Sequence, residues 1–116
     1  MRFLCVYRPG TAEPTAPPTE QEQATMGKLI GDMAKAGVLL AVEGCMHSSL
    51  GARVRIDGER FTVTDGPFAE TKELIAGLCL LQVKSKAEAL VWTQRFLSAA
   101  GEGACEIRQL YDEPAA

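Results

Sequence analysis

The sequence predicts an α+β domain of the split βαβ type, in which two helices cover one face of an antiparallel sheet. The first observation is that a strand, helix and strand pattern occurs twice along the 116 residues. The second is an Asp57-Gly58 turn between alternating apolar residues, which predicts an inserted β-hairpin over residues 53–63. The third is a composition of 47% hydrophobic and 23% charged residues, typical of one compact domain. We therefore expect a single domain over residues 1–116, with a frayed tail at 112–116.

The first strand is predicted over residues 2–7 (RFLCVY), a short run of apolar, aromatic and branched residues that stops at Pro9-Gly10. Four of the six prolines then fall within residues 9–18, where the apolar residues show no period. This composition predicts an irregular surface loop with few contacts to the rest of the domain.

The first helix is predicted from about residue 20 to residue 36. Thr19 followed by Glu22 is the pattern of a capping box, and apolar residues then recur at intervals of three and four until Gly37. A buried strand over residues 38–42 (VLLAV) follows and leads into a polar loop.

The second unit begins with a central strand predicted over residues 74–84 (LIAGLCLLQVK), which is apolar on both faces. Gly77 inside it indicates a bulge or a close approach of another backbone. Ser85 and Glu88 form a second capping-box pattern, which starts the second helix. The last strand is predicted over residues 105–111.

The charge and hydropathy patterns exclude several classes of partner. A net charge of -3 and a pI near 5.2 provide no basic field for a phosphate backbone, so general nucleic-acid binding is not expected. The sequence has no secretory signal pattern, and no apolar run approaches the roughly 18 residues that a membrane span needs. We therefore expect a cytoplasmic protein without a membrane partner. No cofactor is expected either, because the sequence has no phosphate-binding loop or dinucleotide fingerprint.

The four cysteines are predicted to be reduced thiols in the core. Cys5, Cys45, Cys79 and Cys105 lie far apart without a Cys-x-x-Cys pair, and each falls in an apolar strand-like segment. The alternative is a metal or redox site that uses Cys45 and His47. Because His47 is the one histidine of the chain, no metal site is expected.

The hydrophobic pattern also predicts a homodimer. Two helices cover one face of the sheet, yet the strand that contains residues 78–83 and the strand at residues 38–42 are apolar on both faces. An open apolar face of this size is unstable in water, so we expect it to pack on a second subunit, sheet against sheet.

Residues 63–77 carry the candidate site, a polar connection that is too long for a simple hairpin turn. Gly66 permits backbone angles closed to other residues, Pro67 fixes its own, and Asp65 is placed to close an Asx turn over the glycine. The expected result is a rigid corner. The charged residues that follow it, Glu70, Lys72 and Glu73, are predicted to be solvated or paired with one another.

The predicted hairpin has two chemically different faces. If its turn has two residues, Val54 opposes Phe61 and Ile56 opposes Glu59. The apolar face then consists of Val54, Ile56, Phe61 and Val63, and the opposite face carries Arg53, Arg55 and Arg60. With Thr62 and Thr64, the arginine face is either an anion-receptive surface near Asp65 or an ordinary solvated sheet face.

The run Val63-Thr64-Asp65-Gly66-Pro67-Phe68-Ala69-Glu70-Thr71-Lys72-Glu73, followed by Ile75-Ala76-Gly77, resembles the YCII-related proteins of the DGPF type. The likeness extends to residues 43–44 (EG), 51–55 (GARVR), 82–89 (QVKSKAEA) and 106–109 (EIRQ), and covers most of residues 1–111. The resemblance implies a ferredoxin-like subunit that pairs into a dimeric α/β barrel with a cleft between sheet, hairpin and loop. It also implies a small bacterial cytoplasmic protein, sometimes encoded beside an extracytoplasmic-function sigma factor.

The wider YCII group has been suggested to be enzymatic through a His and Asp pair. The family motif supplies Asp65, whereas DGPF relatives tend to have proline where this chain has His47. Three functions stay open. The first is a small-molecule-binding or regulatory module whose ligand contacts Arg53, Arg55, Asp65 and Phe68. The second is a lyase, isomerase or hydrolase in which Asp65 is the acid or base, His47 shares the proton and an arginine holds a substrate carboxylate. The third is a partner of a sigma factor. Alternatively, Asp65 only ties the turn through backbone N–H groups, and Ser48 and Ser49 only form turns.

Overall fold

The computed structural model describes residues 1–112 and contains two helices and six strands in this range. In chain order they are β1 (Arg2–Pro9), α1 (Glu20–Lys35), β2 (Leu39–Gly44), β3 (Ala52–Asp57), β4 (Arg60–Asp65), β5 (Gly77–Gln82), α2 (Lys86–Ala100) and β6 (Gly103–Gln109). Single 3₁₀ turns lie at Ser48–Leu50 and Thr71–Glu73. Most of the tail predicted to fray, residues 113–116, lies outside the described residues. Neither helix in this range is long and apolar enough to cross a membrane.

The main sheet has the strand order β2-β5-β1-β6, with every neighbouring pair antiparallel. Each helix connects two strands that run in the same direction, and a central strand of the other unit lies between these two strands. This arrangement is the predicted split βαβ plan, and it is compatible with a ferredoxin-like α+β fold. The hairpin β3-β4 is a separate two-stranded sheet, so it extends the domain without joining the main ladder.

The core lies between the helices and one face of the main sheet. Phe3 and Cys5 on β1 alternate with partly buried residues, and Cys79 and Leu81 do the same on β5. These four side chains pack with Leu29 and Met33 of α1 and with Ala89 and Phe96 of α2. The opposite face carries Leu4, Val6, Leu78 and Leu80, which are only partly buried. Two helices therefore cover one face of the sheet, as the sequence predicted.

The helix starts were predicted from local side-chain chemistry, and one is confirmed in full. At α1, the Thr19 hydroxyl accepts from Glu22 N–H at 3.1 Å, and a Glu22 oxygen accepts from Thr19 N–H at 3.3 Å. At α2, the Ser85 hydroxyl accepts from Glu88 N–H at 3.1 Å, but the Glu88 carboxylate accepts from Lys84 N–H at 3.1 Å. The second capping box is therefore only half formed. Because β5 ends at Gln82, the Lys84 N–H has no strand partner and takes the carboxylate.

The hairpin register differs from the prediction by two residues. Val54 opposes Val63 and Ile56 opposes Phe61, whereas the expected partners were Phe61 and Glu59. The structure places Gly58, with a φ of +64°, at the first position of the turn, where hairpin turns need a positive φ. An even shift keeps every side chain on its face, so the apolar face and the arginine face are both formed as predicted.

Two of the four cysteines behave as predicted. Cys5 and Cys79 are buried and Cys105 is partly buried, but Cys45 is exposed because β2 ends at Gly44 and the chain turns away from the core. The prediction of a core thiol is therefore wrong for Cys45. Within residues 1–112, no three His, Cys, Asp or Glu side chains are grouped to hold a metal ion.

Gly77 shows the close approach that its place in β5 indicated. A Cβ on Gly77 would lie 3.1 Å from the carbonyl oxygen of Glu43 on β2, which is tighter than ordinary contact. The strand itself is shorter than predicted, because the residues before Gly77 form a 3₁₀ turn and its exit. This exit brings the polar connection back to one end of the central strands, where Ala76 N–H donates to the Tyr7 carbonyl oxygen at 2.8 Å.

Candidate functional site

The corner at residues 65–68 is held by backbone contacts with the loop that precedes β3. Gly66 N–H donates to the carbonyl oxygen of Gly51 at 3.0 Å, and the Gly66-Pro67 peptide is cis. A Cβ at position 66 would overlap the carbonyl oxygen of Ser48. The glycine is therefore required by the close approach of two backbones, and Gly66 has no positive φ.

Ser48 joins the corner to the proline-rich loop. Phe68 N–H donates to the Ser48 hydroxyl at 2.9 Å, and this hydroxyl donates to a Glu13 carboxylate oxygen at 2.6 Å. Ser48 N–H donates to the other Glu13 oxygen at 2.8 Å. The expectation of few contacts for residues 9–18 is therefore wrong at Glu13, which lies 35 residues from its partner in sequence. The hydroxyl of Ser48 does more than form a turn, because it links two segments of the site.

His47 is held from both sides of its ring. Its Nδ1 accepts from Ser49 N–H at 3.2 Å and lies 3.0 Å from the Ser49 hydroxyl, so Nδ1 is the unprotonated nitrogen whenever the ring is neutral. The proton is then on Nε2, which lies 3.4 Å from a Glu13 oxygen. The side chains of His47 and Glu13 are 34% and 10% exposed. This arrangement is a carboxylate that orients a histidine, in which the carboxylate comes from Glu13.

The pKa of Glu13 lies below its usual value. The hydrogen bond from the Ser48 hydroxyl is the largest cause; desolvation opposes it, and the Ser48 backbone N–H and the His47 charge add to the lowering. Glu13 is therefore a carboxylate at neutral pH and accepts from both of its partners.

Arg53 lies across the aromatic residue of the corner. Its guanidinium carbon is 4.5 Å from the centre of the Phe68 ring, and its Nη1 is 3.5 Å from a Glu73 oxygen. Glu70 and Lys72 form an exposed pair at 3.0 Å, as predicted, whereas Glu73 turns to the arginine instead. A guanidinium over an aromatic ring is restrained by cation–π attraction, and the N–H groups of Arg53 that do not face Glu73 stay open to a planar anion.

Asp65 and Arg55 remain open to solvent. Asp65 is the last residue of β4 and is exposed, and within the described chain its carboxylate accepts no hydrogen bond, so the Asx turn is not formed. Arg55 opposes Thr62 on the arginine face and makes no ion pair with any residue of the range 1–112. Both side chains are therefore available to a ligand.

The structure brings part of the predicted site together. Arg53 and Phe68 are in contact, and the backbones of Ser48 and Gly66 meet, but no hydrogen bond or ion pair joins His47 to Asp65 across residues 1–112. Sequence reasoning missed Glu13 and the linking role of Ser48. A groove of about 290 Å³ lies elsewhere, between the two helices. The corner itself presents the Arg53 guanidinium and the exposed carboxylate of Asp65.

Comparison with known proteins places the chain in a family. A search of curated proteins gave no match. The profile of the YCII-related domain matches residues 1–113, almost the full length of the chain. The chain therefore belongs to the YCII-related domain family.

Proposed function

We propose that the protein is a cytoplasmic homodimer that binds a small anionic molecule at the Asp65-Gly66-Pro67-Phe68 corner, as a carrier or regulator. The single observation that carries this proposal is the Arg53 guanidinium carbon over the Phe68 ring, 4.5 Å from its centre, with Arg55 unpaired within residues 1–112 on the same face. A restrained guanidinium beside a second exposed one suits a carboxylate or phosphate group.

The chemistry of the corner supports an anion rather than an apolar ligand. The ion pair between Arg53 and Glu73 is about one-third exposed on both sides, so it is weak and exchangeable. Thr62 and Thr64 lie opposite Arg55 and Arg53 and add hydroxyl groups to the same face. Asp65 at the corner then discriminates between anions, because it accepts from a ligand hydroxyl or ammonium group and repels a second negative charge.

The shape of the subunit supports the dimer. Its radius of gyration is 15.9 Å, whereas a compact domain of this length has about 13 Å. Its accessible surface is 8343 Å², against roughly 6,200 Å² for a monomer of 12.5 kDa. The excess of roughly 2,100 Å² exceeds the ~800 Å² that each partner buries in a standard interface.

The apolar residues on this excess surface support a second copy as the partner. The uncovered sheet face carries Leu4, Val6, Leu78 and Leu80, and the hairpin adds Val54, Ile56, Phe61 and Val63, each 62–71% exposed. In the proposed assembly the two sheets meet face to face as a dimeric α/β barrel. The corner at residues 65–68 of each subunit then forms one wall of a cleft, as the resemblance to DGPF-type proteins implies. A functional link to a sigma factor is compatible with this role as a ligand-dependent regulator.

A thermal-shift screen of carboxylates and phosphate esters tests the proposal. A ligand of this site raises the melting temperature of the wild type, and the shift is lost in Arg53→Gln and in Asp65→Asn. Lys86→Gln is the matched control, because it removes one positive charge at the start of α2, far from the corner. Shifts that survive in both corner variants, or vanish equally in Lys86→Gln, contradict the proposal.

One observation favours an enzyme as the second candidate. The Glu13 carboxylate at 3.4 Å from His47 Nε2 orients the ring, an arrangement used in acid–base catalysis. The protein would then be a lyase, isomerase or hydrolase in which His47 and Asp65 act on a ligand held by Arg53. Turnover of a ligand found in the screen, lost in His47→Asn while the thermal shift is kept, separates this enzyme from a carrier.

A further inference from the structure

Three of the four thiols meet on the helix-facing side of the sheet. Cys5 on β1 lies directly opposite Cys79 on β5, and Cys105 on β6 opposes Tyr7, one diagonal step from Cys5. The side chains of Cys5 and Cys79 are 0% and 1% exposed, and Cys105 is partly buried against the same core. Nothing in the proposed ligand site uses these groups.

The hydrogen-bond ladder fixes the separation of Cys5 and Cys79. Met1 and Val83 exchange both backbone hydrogen bonds, at 2.8 and 2.9 Å, so they form a hydrogen-bonded pair. Such pairs recur at every second residue of an antiparallel ladder, and the register from Arg2 to Tyr7 is unbroken. Cys5 and Cys79 are therefore also a hydrogen-bonded pair, with Cα atoms about 5.5 Å apart. Disulfides span Cα distances of about 4.4 to 6.8 Å.

The thiols also interact with one another. Polar interaction with the thiols of Cys105 and Cys79 lowers the pKa of the Cys5 thiol, against the opposing effect of burial. The same contact with Cys5, together with burial, raises the pKa of Cys79. One thiol of the group is therefore favoured as the thiolate, which is the reactive form of cysteine, and its neighbour keeps a proton.

We propose that Cys5 and Cys79 form a reversible cross-strand disulfide when a hydroperoxide oxidises the protein. The Cys5 thiolate attacks the peroxide, the O–O bond breaks, and Cys5 becomes a sulfenic acid while an alcohol or water leaves. The Cys79 sulfur then attacks the Cys5 sulfur, the S–O bond breaks, and the oxygen leaves as water with the Cys79 proton. Two thiols lose two electrons and two protons, and one hydroperoxide is reduced.

The position of the pair determines its rate and its reversibility. Both thiols are closed to solvent, so oxidation waits for a local opening of the sheet and is slower than that of exposed Cys45. A hydrogen-bonded pair holds its Cβ atoms further apart than a relaxed disulfide does, and such strain makes the bond easy to reduce. The cross-link is therefore a response to sustained oxidation that a cellular dithiol reverses.

Peptide mapping of the peroxide-treated Cys45→Ser protein tests this proposal without disturbing the core. Trypsin places Cys5, Cys79 and Cys105 on three separate peptides, residues 3–28, 73–84 and 96–108. The expected product is a cross-link between the first two peptides, with a mass two hydrogens lower than the sum of the free peptides. One thiol, that of Cys105, should remain for alkylation after denaturation. Dithiothreitol should fully reverse the cross-link. Cys105→Ala should keep the cross-link, and Cys79→Ala should lose it.

Three outcomes would overturn the proposal. The first is three alkylatable thiols after an exposure to peroxide many times longer than the one that fully oxidises Cys45 in the wild type, so that the sheet has had time to open. The second is a cross-link that contains Cys105 instead of Cys79. The third is sulfinic acid at Cys5 with Cys79 still free. If Cys79→Ala does not fold, the mapping of the Cys45→Ser protein decides the matter alone.

Discussion

Single residues hold the corner in place, and Gly66 is the clearest case. A Cβ on this residue would overlap the Ser48 carbonyl oxygen, a backbone atom that cannot move aside without shifting the loop. We expect Gly66→Ala to lower the free energy of unfolding by about 3 kcal/mol, the upper part of the range for overpacking. Gly44→Ala is the control, because a Cβ there meets no atom within 4 Å. Equal urea midpoints for the two variants would contradict this reading of the corner.

The Glu13 carboxylate gives the site a pH dependence whose sign follows from its pKa. This pKa is lower in the folded state than the ordinary value of 4.5, so the carboxylate stabilises the fold above that pH. The stabilisation is lost as pH falls through the folded pKa. Wild type should melt at a higher temperature than Glu13→Gln at pH 7, and the difference should shrink below pH 4.5. Glu59→Gln, on the exposed hairpin turn, should melt with the wild type at pH 7, and a gap for Glu13→Gln that is constant with pH would refute the role of Glu13.

The contacts of Glu13 show where sequence reasoning ends at this scale. Arg53, Asp65 and Phe68 lie on one short connection or on neighbouring strands, so a motif and a hairpin signal are enough to group them. Glu13 reaches Ser48 across 35 residues, from a segment that has no hydrophobic period. Its position is set by tertiary packing alone, and a single sequence carries no signal of that.

Secondary-structure elements were predictable where side chains act on their own backbone. Both helix starts follow from Thr19 and Ser85, since a cap needs only residues within one turn. The hairpin register was wrong because Asp57-Gly58 and Gly58-Glu59 both suit a two-residue turn. Only the backbone shows that Gly58 takes the first position, with its φ of +64°.

The hairpin should behave as a separate stability unit, because β3 and β4 pair with each other and with no strand of the main sheet. We expect Gly58→Ala to cost about 1–2 kcal/mol locally, since alanine disfavours a positive φ, and Gly58→Asn to cost less. Hydrogen exchange is the measurement. Amides of β3 and β4 should exchange faster in Gly58→Ala, while those of β1 and β5 keep their protection. Equal acceleration in both sheets would show that the hairpin is not independent.

At the scale of the whole molecule, the apolar side chains on the second face of the main sheet are only partly buried, and those on the hairpin are exposed. The two-sided hydrophobicity of β2 and β5 predicted this from sequence, because the number of helices limits how many sheet faces they can cover. The apolar face of the hairpin was also predictable from its alternation. The orientation of the hairpin's apolar face relative to the uncovered sheet face was not predictable, since it depends on the direction in which the hairpin leaves the sheet. That direction decides whether the corner faces a partner or bulk water.

The proposed cleft depends on the proposed dimer, and sedimentation can test both together. Wild type should sediment at about 25 kDa, twice the 12.5 kDa chain. Leu80→Lys places a charge on the uncovered sheet face, and because burying an unpaired charge is costly, it should sediment as a monomer. Leu90→Lys makes the same change on the outer face of α2, where the side chain is 42% exposed, and should remain a dimer.

If the cleft needs two subunits, the monomeric variant also loses the ligand-induced thermal shift while its Arg53 and Phe68 are intact. A wild type that sediments as a monomer would contradict the proposed dimer. A ligand that still binds the monomeric variant would show that the whole binding site lies on one subunit.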